Sequence, residues 1–484
     1  MTTGGWGMGT TEHSWSKAWL PWRAMLLIAA FGTIAVGSAF GKVAAAAHPQ
    51  AKVAAATIPA GFQDWPMFRR DPLHWGVSAE TLLGASNAAT LKLHWQVNTG
   101  DISYSSPAVV FNATLNTSVV YVGNQKGMMS AYNAATGKPV WTYSTPKTVG
   151  LSKEIETSPA VYNNVVYFGD GDGHLYALNA TTGSFICRSA TSAGGVIAGS
   201  PLIANPDGRT GDVVVYYSDS GPSGTTSDGG REWAMYAYGD TAGAQCTTKW
   251  SSDNFGSPPG SQAGISGVYA SQAFGHLANG TNVVVFGTTD PDDAIYELNA
   301  TTGAVLWRFQ TIVGTDSDVG APPTITLPGV NGFADGVVYD TGKDAYTYAL
   351  NLRTGAVLTG WPFNIRKTIG HGNPAQSGAS VVGDTVYIGY GAGLFALNAT
   401  TGALVWTSSP ATPGVVSMPS ISGAPGNQVI FYGDIQGGIH AAALTSGKNL
   451  FDYATGALIF SSAAVSTGQF FITSSNGVLY AFGK

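Results

Sequence analysis

From Leu91 onward the chain alternates apolar and polar residues in runs of four to seven, each run cut short by Gly, Asp or Asn. The stretch SPAVYNNVVYFGDGDGHLYALNATTG (Ser158–Gly183) shows the unit: an apolar run, a turn, VVYFG, an Asp/Gly turn, HLYALNA, then Thr-Thr-Gly. Period-2 alternation between such turns predicts a meander of short antiparallel strands. A fourth strand follows each Thr-Gly turn. The last letters recur as YELNATTG (Tyr296–Gly303) and FALNATTG (Phe395–Gly402), with a looser AYNAATG ending at Gly137.

Four residues past the turn glycine stands a large apolar residue: Trp141, Trp307, Trp406 and Phe460, with Cys187 in the second unit. Two units break the spacing and offer Trp250 after Gly243 and Trp361 after Gly355. Units open near Ser106, Ser158, Ser200, Ser271, Ala321, Gly378, Met418 and Ser462, which makes eight. The eighth stops at VLYAFGK without a fourth strand, whereas LKLHWQVNTG (Leu91–Gly100) carries Trp95 with no three strands before it. That strand would complete the last sheet and close a ring. At about 49 residues per unit, the spacing is that of a four-stranded propeller blade. The pattern therefore predicts an all-β chain, an eight-bladed β-propeller of four-stranded antiparallel blades closed by an N-terminal strand. A single such sheet cannot cover both its faces, and stacking around an axis does so. On this reading the octapeptide is architecture and the Trp/Phe ladder is packing between blades.

Composition narrows the picture. Charged residues are only 10% of the chain, against roughly a quarter in ordinary soluble proteins, while Gly numbers 65, as suits a turn-rich all-β chain. A net charge of −6 offers no basic face for nucleic acid. Lys17 and Arg23 precede the apolar run Ala24–Phe40, and small residues follow in VAAAAHPQ. This pattern predicts a signal peptide over 1–47 with cleavage near Ala47, or else an uncleaved N-terminal anchor, the chain's one membrane contact. The body is expected to be exported, secreted, periplasmic or held at the cell envelope. A linker covers 48–64, a lead-in segment 65–90 and the propeller 91–484. Cys187 and Cys246 are the only cysteines, a disulfide candidate in an oxidising compartment.

The unit just assembled, VVYFGDGDGHLYALNATTG with a Trp four residues on, resembles the PQQ-enzyme repeat. That repeat builds the propellers of quinoprotein alcohol dehydrogenases and of an outer-membrane assembly lipoprotein. The lead-in WPMFRRDPLHWGVS (Trp65–Ser78) is similar to that of exported members, and DSDVGAPPTI (Asp316–Ile325) resembles polyvinyl-alcohol-dehydrogenase-like members. The resemblance implies a site where the loops between blades converge on the axis. A PQQ cofactor would place its carboxylates on Arg366 and Lys367, in a loop that also holds His371. Glu154 or Glu156 with Asn373 would ligate Ca²⁺. Asp318 or Asp316 would serve as general base, and Trp361 or Trp233 would floor the quinone. The chain departs from the quinoprotein alcohol dehydrogenases in lacking a vicinal cysteine pair. Two functions stay open: an oxidoreductase acting on an alcohol or sugar, and a non-catalytic propeller, expected to be monomeric, that binds an envelope protein. Other signals fall away. DGDGH (Asp170–His174) lacks the distal Glu of an EF-hand, and the eight histidines form no zinc spacing. The Asn-Ala-Thr sequons at Asn179, Asn299 and Asn398 belong to the repeat's turn, where Asn supports the backbone.

Overall fold

The computed structural model describes residues 64–146, 153–189, 195–206, 213–220, 230–238, 246–255, 267–289, 292–312, 317–369, 377–408 and 414–484. Among them lie eight four-stranded antiparallel sheets, each built from consecutive strands except the last. Blade one comprises Ala108–Asn112, Thr117–Gly123, Met128–Asn133 and Pro139–Ser144, and blades two to seven repeat that order. Blade eight takes Ala464–Ser466, Gln469–Thr473 and Val478–Gly483, and receives Lys92–Asn98 as its outer strand. Trp95 pairs with Ala481 and Gln96 with Tyr480, so the ring closes through the strand the sequence left over.

Alternation along each strand sends one set of side chains to the preceding blade and the other to the following one. In blade two, Val166, Phe168, Tyr176 and Leu178 join Tyr121 and Met129 of blade one. Tyr167, Leu175 and Ala177 join Ile203, Val215 and Met235 of blade three. Both faces are buried, which accounts for the near-continuous apolar runs at strand centres.

The repeated octapeptide is the socket for the preceding blade's indole. Trp141 of blade one lies over Gly183 of blade two, where a Cβ would stand 2.6 Å from the ring. Its Nε1–H donates to the Ala180 carbonyl at 2.9 Å. Trp95, Trp250 and Trp307 make the same bond to Ala134, Ala300 and Leu352. Asn179 shapes the socket by accepting the backbone N–H groups of Thr181 and Thr182 at 3.0 and 2.9 Å. Blade two has no indole to offer, and there Cys187 is bonded to Cys246 of blade three, with Cα atoms 5.7 Å apart. A covalent link stands where the other blades use a docked ring.

The lead-in segment runs along the inner strands inside the ring. Trp65 pairs with Val109 of blade one, and the Pro66 carbonyl accepts from Val161 of blade two. Pro72 and Leu73 accept from Phe274 and Ile325 of blades four and five, and Gly76 from Ile421 of blade seven. Arg69 is buried, donating to the carbonyls of Pro419 (2.8 Å), Ala379 and His74 and to Ser380 Oγ (2.6 Å). Burial draws its guanidinium down to about 9, with Asp71 opposing that shift. Gly76 arches over this guanidinium at φ +64, where a Cβ would meet it at 2.8 Å. The axial channel is thereby filled by the chain's own lead-in segment.

Candidate functional site

Loops between blades and turns between second and third strands share one face, and the Thr-Thr-Gly turns lie on the other. A serine belt rims the axis on the first face. Ser106 N–H donates to Ser158 Oγ (2.9 Å), Ser158 to Ser200 (3.0 Å), Ser200 to Ser271 (2.9 Å), Met418 to Ser462 (3.1 Å) and Ser462 to Ser106 (2.9 Å). Blade openings are thus tied to one another by the Ser that starts them.

Two residues before these serines the chain places Tyr104, Glu156, Tyr269 and Phe460. Tyr104 meets Phe460 edge-on at 5.1 Å. Burial raises the Tyr104 hydroxyl, and Glu156 and then Glu154 raise it further. Tyr269 is raised by burial, with Glu156 and Asp318 both adding to the shift and a bond from Ser220 opposing it. Glu156, between blades one and two, and Asp318, between blades four and five, thus both bear by charge on Tyr269, which stands between blades three and four with its ring partly exposed. Glu156 is itself raised by burial and by the charge of Glu154, while Gln125 Nε2 donates to it at 3.2 Å. Two like charges side by side are the condition a hard cation relieves. Among the described residues, no three His, Cys, Asp or Glu side chains gather as a metal site.

Asp318 is paired with Lys343, whose Nζ lies 2.5 Å from Oδ2. Arg366 and Lys367 are exposed on the short helix Ile365–Ile369. Arg366 acts on Asp344 and on the buried Tyr390, whose hydroxyl has no hydrogen-bond partner. Asp344 in turn accepts from the Tyr348 hydroxyl and from Ile312 N–H (3.4 Å). Burial raises Asp344, and the Tyr348 bond holds it back. These basic groups belong to the blade five–six sector. Asp316, His371 and Asn373 lie outside the described residues.

Trp361 corrects the expectation placed on it. Its ring packs against Tyr339 at 5.6 Å, and a Cβ on Gly402 would stand 3.2 Å from it, so it is the blade five member of the ladder, on the face opposite the mouth. The two extra residues after Gly355 are accommodated before the outer strand, and packing rather than cofactor contact uses the indole. Trp233 stacks on Tyr217 at 6.0 Å and donates to Asp219 Oδ2 at 2.9 Å. Tyr104 and Tyr269 went unread in the sequence because candidates were sought by charge. Phe460, expected in the ladder, stands at the mouth, and Phe451, four residues past Gly447 and paired with Ala441, takes the ladder position of blade seven. The signal that reveals the mouth residues is their constant offset from the opening serine.

A family model described as outer membrane protein assembly factor BamB matches residues 78–233 and 247–482. The chain belongs to this PQQ-repeat family. Within the structures that share its propeller, a europium-containing methanol dehydrogenase aligns with a TM-score of 0.68 at 15% identity, covering 87% of this chain and 98% of the other. BamB from Moraxella catarrhalis aligns at 0.56 and 15% identity, covering 81% and 100%. In sequence, 137 residues (25% of this chain) are 31% identical to lupanine 17-hydroxylase [cytochrome c] from Pseudomonas sp, a match spanning 19% of that protein's length. PQQ-repeat propellers thus include both dehydrogenases and an assembly factor, and the ring alone does not choose between them.

Proposed function

We propose that the chain is an exported quinoprotein-type oxidoreductase that receives an alcohol or sugar at the axial mouth. The observation carrying this reading is that Glu156 and Asp318, from loops three blades apart, both act on Tyr269. Glu154 and Glu156 suit Ca²⁺ as donors, since they are hard carboxylate oxygens and the charge of Glu154 raises Glu156. PQQ with Ca²⁺ would supply hydride acceptance and Lewis acidity there. Trp361 does not suit a quinone floor, for the reason given above.

The protein's own residues have distinct parts. Tyr104, Tyr269 and Phe460 give the mouth apolar faces that hold a carbon skeleton and exclude water. Asp318 Oδ2 accepts the substrate hydroxyl proton, and Lys343 orients that carboxylate until substrate displaces it. Titrating the purified protein with PQQ and Ca²⁺, followed by tryptophan quenching and then dye-linked oxidation of alcohols and sugars, tests the reading. Saturable Ca²⁺-dependent binding that Glu156→Gln abolishes supports it, and no binding at tens of micromolar sinks it. One observation favours the second reading, a scaffold for an envelope protein: the Lys343 ammonium already neutralises Asp318. Retention of a protein partner without cofactor binding would establish that alternative.

A further inference from the structure

The eight units serve as a register for one another. The third-strand residue paired with the residue preceding the second-to-third turn is Met129, Leu175, Ile295, Leu394, Ile439 or Leu479 in six blades and Thr347 in blade five. In blade three it is Glu232, opposite Ser218. The residue just before the inner strand is Pro or Ala in seven blades, and in blade four it is Gln272. These two exceptions are in contact: Gln272 Nε2 donates to Glu232 Oε2 at 3.2 Å, and both residues are fully buried. The remaining oxygens, Glu232 Oε1 and Gln272 Oε1, have no partner.

Two bare acceptors side by side in an apolar interface are costly, at roughly 1–3 kcal/mol for each unsatisfied group. One proton removes both faults. On Glu232 Oε1 it supplies the donor that Gln272 Oε1 lacks, and acid and amide then close a ring of two hydrogen bonds. We propose that Glu232 is held as the neutral acid and donates to Gln272, forming a proton-dependent clasp between blades three and four that pins the loop carrying Tyr269. That loop ends at Gln272, and a Cβ on Gly230, two residues before Glu232, would stand 2.4 Å from Val268 N.

Among the described residues, the titratable groups around the clasp are few. Asp219 acts on Glu232 from the adjoining strand, where Tyr217 also feels both acids. Ser252 is its neighbour on the outer strand, and blade four presents Gln272 with the apolar Phe286 and Ala294. Burial raises Glu232 well above the carboxylate range, Gln272 opposes this and Asp219 adds to it. The closed clasp therefore binds a proton that the opened loop releases above the ordinary Glu pKa. Its hold weakens as pH rises through that window.

Amide hydrogen exchange of residues 267–273, corrected for intrinsic rates, tests the clasp between pH 6 and pH 8. Protection in the wild type is expected to fall about tenfold per pH unit, the slope for one linked proton. Glu232→Gln preserves an amide pair without a titrating group, and protection in that variant should be flat with pH. The double variant Glu232→Leu/Gln272→Pro, which carries the side chains of blade two, should be flat as well. In the infrared difference between wild type and Glu232→Gln at pH 7, a protonated-carboxyl band belonging to Glu232 should appear, with the band of the buried Glu297 cancelling. A flat wild-type profile, a slope that survives in Glu232→Gln, or absence of the band overturns the proposal.

Discussion

Single atoms decide several positions in this ring. Gly183 has φ +71 and lies beneath Trp141. Gly183→Ala pays for both the left-handed backbone and the displaced indole, and the loss expected in urea unfolding is about 1–3 kcal/mol. Glu297 stands where the other units have Ala, cross-strand from Trp307 and fully buried, with neither carboxyl oxygen hydrogen-bonded. Burial pushes it up to about 9, with Trp307 opposing. The native state thus keeps a proton that the unfolded chain loses above about 4.3, so stability should fall as pH rises from there towards 9. Glu297→Ala, the residue of the sister units, should remove that contribution and gain about 1–3 kcal/mol at pH 9, measured by denaturant midpoints at pH 5 and 9.

Single elements show how much could be read beforehand. The strands, their turns and the ladder were legible because each unit repeats its own spacing. The socket was not, since Trp141 docks on the next unit's Ala180 and Gly183 and no within-unit spacing records a contact between units. Trp361 carried two readings, ladder member and quinone floor, because its offset from the turn glycine departs from that of the other units. The lead-in segment has no repeat of its own, so its path through the channel had no sequence signature, and Arg69 gave no hint of burial. Between blades two and three the Cys187–Cys246 bond replaces the indole, across a separation of 59 residues. Reduction should cost about 4 kcal/mol on the chain-entropy account, read as the difference in denaturation midpoint with and without dithiothreitol.

At the scale of the molecule, the ring and its filling are one cooperative body. Arg69 joins blades six and seven through their carbonyls at the channel wall. Arg69→Ala would leave three buried carbonyls short of donors and should destabilise the whole propeller by about 3 kcal/mol or more, and Arg69→Lys should not restore it. A single unfolding transition displaced as one unit is the expected calorimetric signature. Two transitions would show that the lead-in segment is an accessory rather than part of the core.

The pairing of Lys92–Asn98 with Val478–Gly483 has a consequence in time rather than space. A ribosome makes the first of these strands nearly four hundred residues before its partner exists. Until the last strand emerges, the outer strand of blade eight has no partner and Trp95 no sheet to belong to. Contacts of such sequence separation are slow to form, and the waiting edges are prone to pair with the wrong chain. The arc that precedes closure is therefore the vulnerable form of this protein, and its closing step joins two strands made far apart in time.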